Sequence, residues 1–276
     1  MHIVRETFPS FDTMLREFQR RPNNKAMSGF NESKDSNYNF TGTESYGEAV
    51  SLLKNGYTAV LPRIKKSVEQ NQKKYAKLYY VPRSTPQNHI AGFAPNVPRA
   101  LLGLPDNMIN QVKEPRKTRA ISIIYGLSTP WYNGIDYFID AGVALVSAIN
   151  ILELGGVQTK LTVAFKVVVD DLYVPTETLL SDVCIKDFGQ RFSLQKICFP
   201  LVHPSMLRRF GFKELETCPH ITSTDFRDGY GAPLRTGEEI RQYYDLPKDS
   251  FILTVNDINK DFNNDPSKII DWLGVI

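Results

Sequence analysis

Oxygen-bearing side chains follow two predicted strands, and their types suit a divalent cation. Ser128 and Thr129 come shortly after the apolar stretch 120–125, and Asp257 follows the apolar stretch 251–255. Ligands of α/β sheets bind beyond the carboxyl ends of the strands, and hydroxyl and carboxylate oxygens suit Mg²⁺. These residues predict either a magnesium site or, the interpretation that we favour, a strand-to-helix loop with helix-capping hydroxyls. No other cofactor is expected.

Motifs for other chemistry are missing from the sequence. The loop 126–134 has neither Gly-x-Gly-x-x-Gly nor a Walker pattern, in which backbone N–H groups approach a phosphate. No nucleophile elbow, metalloprotease motif or Ser-His-Asp order is present, and the four histidines form no metal-ligand pair. His203, just before a predicted helix, is expected to be a hinge or a hydrogen-bonded core residue. Cys198 is expected to be a buried structural cysteine, so the sequence favours a protein that is not an enzyme.

A lysine-rich stretch in the first half of the chain is the candidate nucleic-acid surface. Cations neutralise phosphates and aromatic rings stack on bases, and the predicted helix that begins near Pro62 combines both. The candidate residues are Lys65, Lys66, Lys73, Lys74, Lys77 and Tyr79, with Tyr75 and Tyr80 beside them. Two alternatives remain open: a solvated helix face, or a basic half that docks on an acidic half of this chain or of another copy.

The charge of the chain is divided unevenly along its length. The net charge of +3 is ordinary, as are the 42% apolar and 23% charged residues. Residues 1–119, however, contain 19 Lys and Arg against 10 Asp and Glu, whereas residues 120–276 contain 14 against 20. The opposite net charges of +9 and −6 predict an interface, either between the two halves or between copies.

The composition also indicates the cellular compartment of the protein. No uninterrupted apolar run reaches about 18 residues, the length that predicts a membrane span, and the N-terminal residues lack the apolar core of a signal peptide. The three cysteines are widely spaced and odd in number, which argues against a disulfide framework. We therefore expect a cytoplasmic protein that does not associate with membranes.

Apolar strands alternate with helices between residues 120 and 276, which predicts an α/β sheet domain. The predicted strands cover residues 120–125, 161–169, 182–186 and 251–255. The predicted helices cover residues 135–154, 194–201, 204–214, 238–244 and 266–273. Continuously apolar strands of this kind belong to a sheet that is covered on both faces, so we expect a three-layer, Rossmann-like domain.

The first 119 residues are predicted to form a mainly helical region with a proline-rich end. A helix over residues 11–20 is capped by Ser10, and a second, over residues 43–54, is capped by Thr43. Six prolines then interrupt residues 81–119, which predicts an irregular arm packed on a neighbour, with one short helical turn at residues 98–102. The main domain boundary is placed in the linker 113–119.

The layout of the second half and its first loop resemble a von Willebrand factor A-type domain. Members of that family that bind a divalent metal carry Asp-x-Ser-x-Ser after the first strand. Aligning this pattern on Ser128 places Gly126 where the aspartate should stand and Pro130 where the second serine should stand. The resemblance implies a von Willebrand A-like core with a degenerate metal site.

Three segments together resemble an uncharacterised family of tailed-bacteriophage proteins. They are residues 40–56, residues 94–108, and residues 199–209 followed by 229–231. The motif residues are Arg99, His203, Arg208, Arg209 and Tyr230. The resemblance implies a phage origin and no known activity. It also implies that the protein is located in the cytoplasm of the infected host, and association with the virion is a further possibility. The residues themselves predict fold maintenance, with Arg99 pairing with a carboxylate and Arg208 or Arg209 reaching Glu214 or Glu216.

These observations lead to one functional hypothesis and two alternatives. The leading hypothesis is a non-enzymatic phage protein that binds or assembles with a protein partner, including further copies of itself. The first alternative is an accessory DNA- or RNA-binding protein that uses the basic first half. The second is a metal-dependent enzyme or adhesion site near Ser128.

Overall fold

The computed structural model describes residues 2–22, 30–75, 84–113, 119–171, 174–221, 240–241 and 250–274. The strands are β1 (His2–Phe8), β2 (Ser84–His89), β3 (Ala94–Pro95), β4 (Met108–Lys113), β5 (Ala120–Gly126), β6 (Gln158–Asp171), β7 (Val174–Lys186) and β8 (Phe251–Thr254). The helices up to the long central one are α1 (Phe11–Arg20), α2 (Glu32–Asp35), α3 (Tyr38–Thr41), α4 (Tyr46–Asn55), α5 (Leu61–Gln72), α6 (Val97–Leu101) and α7 (Ile135–Leu154). After it come α8 (Leu194–Val202), a π-helix (Met206–Gly211), α9 (Phe212–Thr217), α10 (Val255–Lys260) and α11 (Pro266–Leu273).

Five strands form the main sheet, in the order β1-β7-β6-β5-β8. β1 is parallel to β7, and β5 is parallel to both of its neighbours, whereas β6 and β7 are antiparallel. Helices flank this mostly parallel sheet, which confirms the prediction of an α/β fold. Alternate residues of β5 enter different clusters, Ile123 on the side of α7 and Ile124 on the opposite side, because successive strand side chains point to opposite faces.

The edge strand β1 was not predicted from the sequence. All seven of its residues pair with β7, from His2 opposite Glu177 to Phe8 opposite Val183. The first half also contributes Phe18 of α1 and Ile64 of α5 to the hydrophobic cluster that contains Leu145 of α7. The predicted regions 1–119 and 120–276 therefore share one sheet and one core.

Ion pairs join the two oppositely charged halves within the chain. Their members and N–O distances are Arg21–Glu214 at 3.0 Å, Arg63–Asp140 at 2.5 Å and Lys74–Asp271 at 2.8 Å. The first pair is buried and the other two are about half exposed. Exposed pairs contribute about 0–1 kcal/mol each, so the contacts orient the halves while the shared core supplies most of the stability.

The helix α7 is the centre of the core. It has the length and apolar composition of a membrane span, but 67% of its most apolar stretch is buried inside the protein. Its Gly142 lies against the backbone of Leu201 and Val202 in α8. A long helix whose apolar residues are covered by its own chain is consistent with a soluble protein.

Residues 84–113 form a small separate sheet, which we call the arm. Its order is β2-β4-β3 and its strands are antiparallel. The sequence predicted irregular structure here, apart from the turn that is now α6, because prolines interrupt it. Pro86 and Pro95 lie in the two outer strands, where a missing N–H is tolerated, and the central strand β4 contains no proline.

Several predicted boundaries shift in the structure. The helix α4 begins at Tyr46, with Ser45 rather than Thr43 as its cap, because Thr43 is buried and bonds Ser205 at 2.9 Å. The helix predicted over residues 204–214 is divided into the π-helix and α9. The helix predicted over residues 238–244 lies almost wholly outside the described residues, which include only Ile240 and Arg241 there.

Candidate functional site

A cavity of about 960 Å³ lies beyond the carboxyl ends of β5 and β8. Its walls come from the loop 128–133 after β5, from Asn256 and Lys260 of α10, and from the stretch that contains α2 and α3. The chain leaves β5 through α7 toward β6, whereas β8 lies on the other side of β5. Such a change of direction opens a crevice that ligands use in α/β proteins, and the volume suits a small organic molecule.

Two of the predicted metal ligands anchor the first loop of this cavity. Ser128 Oγ donates to the backbone oxygen of Lys166 at 3.0 Å and accepts the Lys166 N–H at 2.9 Å. Thr129 Oγ1 donates to Asn256 Oδ1 at 3.4 Å and accepts from Asn133 Nδ2 at 2.5 Å. The two hydroxyls therefore tie the loop to β6 and to α10.

The third predicted ligand, Asp257, caps the helix α10. Its carboxylate accepts the N–H of Thr254 at 2.8 Å, and its own N–H is bonded to Thr254 Oγ1 at 3.1 Å. This reciprocal arrangement is a capping box, which satisfies N–H groups that a helix start leaves unpaired. The contacts of Ser128 and Thr129 are thus those of anchors for the strand-to-helix loop that we favoured. They do not cap α7, whose N-cap is Gly134, whereas Asp257 caps α10.

Arg209, on the π-helix, fastens the segment 33–43 to the body of the protein. Its side chain is fully buried. Its guanidinium donates to the backbone oxygens of Ser33, Lys34, Ser36 and Thr43 at 2.8–3.1 Å, and Nε donates to Thr43 Oγ1 at 3.2 Å. All five N–H groups of the fork are used, so this residue maintains the fold, as its sequence motif predicted.

Arg208 lies in the cavity wall and is 2% exposed. Its guanidinium donates to the backbone oxygens of Phe40 and Asn133 at 2.6 and 2.5 Å and, at 3.4 Å, to that of Trp131. The expectation that Arg208 or Arg209 reaches Glu214 or Glu216 was wrong. Glu214 pairs with Arg21 instead, and Glu216 accepts the Ser33 N–H at 2.9 Å.

His203 is a buried core residue in contact with two aromatic rings. Its ring stacks on Phe199 and meets the edge of Tyr57, with centroids 5.0 and 4.9 Å apart. Nδ1 accepts the N–H of Ser205 at 3.2 Å. Burial lowers the pKa of His203 to about 4, although a hydrogen bond with the Gly42 backbone opposes this change. The residue is therefore neutral at physiological pH, in agreement with the predicted hydrogen-bonded core histidine.

The structure describes only some of the predicted nucleic-acid residues. Lys65 and Lys66 on α5 and Lys73 after it are exposed, whereas Lys74 pairs with Asp271. The ring of the neighbouring Tyr75 is buried, and its hydroxyl donates to the Ser267 carbonyl at 2.8 Å, so it does not stack on bases. Lys77 and Tyr79 lie outside the described residues, as does Tyr230 of the motif set.

Arg99 and the cysteines behave as their sequence context indicated. Arg99 pairs with Asp106 in the arm, with Nη2 2.5 Å from Oδ1, and so fixes the turn between α6 and β4. Cys198 is buried, and burial raises the pKa of its thiol to about 12. All three cysteines are free in the structure.

Comparison with known proteins places the whole chain in one family. A family model described as Domain of unknown function (DUF7192) matches residues 2–274. The chain belongs to this family. The match crosses the predicted boundary near residue 119, as do the sheet and the core. No curated protein and no solved structure matches this DUF7192 chain.

The sequence of this DUF7192 chain did not predict one cluster of carboxylates that the structure brings together. Glu6 of β1, Glu214 of α9 and Cys218 bring ligand atoms close enough together to hold a metal ion. The Arg21 guanidinium, however, bonds both carboxylates at 3.0 Å and already supplies a positive charge there. The arrangement is therefore an ion-pair network. Its residues are as far as 212 positions apart, so no local spacing could have predicted it.

The Glu214 carboxyl should make stability fall as the pH rises. Burial raises its pKa to about 7 from an ordinary 4.5, although Arg21 opposes this change. Between these values the folded protein holds a proton that the unfolded chain has released, so a higher pH favours unfolding. We expect Glu214→Gln to gain stability relative to the wild type between pH 5 and pH 8, as measured by urea unfolding.

The matched control for Glu214 is the exposed Glu69 of α5. Glu69→Gln should follow the pH dependence of the wild type, because it leaves the buried Glu214 carboxyl in place. If the stabilities of Glu214→Gln and Glu69→Gln differed from that of the wild type by the same amount at pH 5 and at pH 8, Glu214 would not be the source of the pH dependence.

Proposed function

We propose that this chain is a phage-encoded, non-enzymatic protein that assembles with protein partners through its arm, and first with a second copy of itself. The supporting observation is a set of apolar side chains on the arm, each more than half exposed. They are Ile90, Phe93, Val97, Leu101 and Leu102. Leu101 is 83% exposed, and none of the five belongs to a hydrophobic cluster of the body. Several large exposed apolar groups in one small element are typical of an interaction surface.

The arm presents these side chains on a braced scaffold. Asn96 caps α6 through the Arg99 N–H at 3.4 Å and donates to Asn88 Oδ1 at 2.9 Å. Gly92 packs directly on the backbone of Ile109, where a side chain would not fit. Because the contacts inside the arm fix its backbone, binding does not have to order it, which favours association.

Charge complementarity favours a second copy as the first partner. Lys65, Lys66 and Lys73 form no ion pair with the described residues, and the half that carries them has a net charge of +9. The other half of every copy has a net charge of −6. Opposite surfaces steer two copies together, and this attraction weakens as salt screens the charges.

We further propose a phage origin, a location in the infected host and a von Willebrand A-like core for this protein. The three sequence segments that resemble a tailed-phage family support a phage origin, with the cytoplasm of the infected host as the location and the virion as an additional one. A von Willebrand A-like core is supported by the order of β5, the long helix α7 and the antiparallel pair of β6 and β7. Binding of DNA or RNA through the lysines of α5, and Mg²⁺ near Ser128, stay as alternative predictions.

Sedimentation of purified protein tests the proposal. We expect the wild type to associate as its concentration rises, and to do so less at high salt. A double variant, Leu101→Ser with Leu102→Ser, should stay monomeric with an unchanged melting temperature, because both side chains are exposed. The surface change itself should alter stability by no more than about 0.5 kcal/mol.

Leu154 at the end of α7 provides the matched control, since it is an exposed leucine outside the arm. Leu154→Ser should associate like the wild type. A wild-type protein that stays monomeric at all concentrations and at low salt would overturn self-assembly through the arm, and so would equal association of the double variant.

A further inference from the structure

Arg208 is a buried charge whose hydrogen bonds reach no carboxylate. The guanidinium lies between the rings of Phe40 and Phe138, 4.2 and 4.8 Å from their centroids. Its three hydrogen bonds go to backbone oxygens. A guanidinium has five N–H groups, so Nε–H and one N–H of Nη1 have no partner among the residues that the structure covers. A buried positive charge is costly unless an anion compensates it.

Two carboxylates of the cavity wall serve Arg209 rather than Arg208. Glu32 and Asp35 both stabilise the charged form of Arg209, together with Glu48 and Glu44, and partly offset the lowering of its pKa by burial. Burial alone lowers the pKa of Arg208 to about 10, with no carboxylate acting in the opposite direction. The positive charge of Arg208 is therefore open to an anion in the cavity.

Other donors surround the same space. Asn256, which is 7% exposed, accepts from Thr129 and Tyr137 through Oδ1, and its Nδ2 donates to none of the described residues. Lys166 and Lys260 also line the cavity. Together with Arg208, these groups bring positive charge and hydrogen-bond donors to the cavity wall, which also contains Glu32 and Asp35. Cations and donors of this kind recognise a carboxylate or a phosphate.

The mouth of the cavity is aromatic. Trp131 and Tyr132 lie in its lining and are 79% and 69% exposed, with their ring centroids 6.1 Å apart. Large aromatic side chains so exposed are open to stacking by a flat ring. The π-helix that carries Arg208 adds to the argument, since π-turns occur frequently at functional sites.

We propose that this cavity binds a small organic anion that carries a flat ring, either a carboxylate or a phosphate monoester. The anionic group accepts from Arg208 and Asn256, and the ring packs against Trp131 and Tyr132. This site is separate from the arm, so it holds whether or not the protein assembles with itself.

Tryptophan fluorescence tests the site directly. The chain has two tryptophans, and Trp272→Phe leaves Trp131 as the reporter at the cavity mouth. Two matched pairs of probes are titrated, benzoate with benzyl alcohol and adenosine monophosphate with adenosine. We expect at least one anion to change Trp131 emission saturably. That anion should bind at least about tenfold more tightly than its neutral partner, because the neutral partner lacks one charge-assisted hydrogen bond. The pair that responds distinguishes a carboxylate ligand from a phosphate ligand.

Variants connect the signal to the cationic wall. Arg208→Lys keeps the charge but loses the planar fork, and should weaken the anion about tenfold or more. Because that variant also removes contacts with the loop, Lys260→Gln at the exposed edge of the wall is the second test and should weaken the anion about threefold. Lys196→Gln, an exposed change on α8, is the control and should bind like the parent.

Three outcomes would overturn the site. One is an unchanged Trp131 emission with both anions up to about 1 mM, the range of weak ligands. Another is equal affinity for an anion and its neutral partner, which would show that no charge is recognised. The third is equal affinity of Lys260→Gln and Lys196→Gln for the anion.

Discussion

Replacing Arg209 with methionine is expected to lower the free energy of unfolding by about 3–5 kcal/mol, because several buried acceptors lose their donor at once. The guanidinium uses all five N–H groups, and four of its acceptors are backbone oxygens of Ser33, Lys34, Ser36 and Thr43. Methionine fills a similar volume but leaves these buried acceptors without donors. Each buried group left unpaired costs about 1–3 kcal/mol.

Urea unfolding measures this loss, and proteolysis locates it. The segment 33–43 should become the first site of cleavage in Arg209→Met, because Arg209 joins it to the π-helix. The control is Arg191→Met, which removes an exposed arginine and should change stability by less than about 0.5 kcal/mol. A loss below about 1 kcal/mol in Arg209→Met would show that the segment is held by other contacts.

Gly142→Ala is expected to destabilise the protein by about 2 kcal/mol or more, although alanine is the better helix former. Gly142 is in the middle of α7, where α8 crosses it. A Cβ there would overlap the carbonyl oxygen of Leu201 and lie 2.5 Å from the Cα of Val202. These are backbone atoms, so relief requires that the whole of α8 move away from the core.

Gly47 in α4 is the matched control, because a Cβ there has only one neighbour within 4 Å, Ser45 Oγ at 3.8 Å. Gly47→Ala should be neutral or stabilise the protein by up to about 1 kcal/mol, from helix propensity alone. Thermal and urea unfolding of both variants give the comparison. If Gly142→Ala and Gly47→Ala changed the free energy of unfolding in the same direction, α7 and α8 would pack less closely than the structure shows.

Local signals predicted the helices well. The bounds of α1 agree with the prediction, and Ser10 accepts the Thr13 N–H as its cap. The bounds of α7 and α11 also agree, because capping residues and a sustained apolar pattern act over a few neighbouring positions. Gly56 ends α4 as predicted, but with φ of 94° and ψ of 159° it lies outside the left-handed helical region that was expected.

Strand partners depended on distant residues and were harder to predict. β1 has only seven residues and acquires its role by pairing with β7, about 175 positions further along the chain. β7 begins at Val174 rather than near Asp182, because its first residues are defined by their antiparallel contact with β6. The arm was predicted as irregular because prolines are common in it, although both of its outer strands tolerate them.

The candidate site was predicted in position but not in chemistry. The sequence placed it after the first strand of the second half, and the cavity lies there, next to Ser128 and Thr129. It favoured a structural role for these hydroxyls, but it did not predict that Arg208 would enter the cavity wall from a segment about 80 residues later. Side chains so far apart in sequence meet only through packing.

By itself, the sequence determined the α/β class, the long central helix, the cap at Ser10 and the division of charge, because these follow from local pattern and composition. Tertiary structure alone decided the place of β1, the roles of Arg208 and Arg209, the cluster around Glu214 and the exposure of the arm. The physical reason is that burial and hydrogen-bond partners are properties of a packed chain. A motif predicts which groups are present, and only packing decides which charge is compensated and which is left open to a ligand.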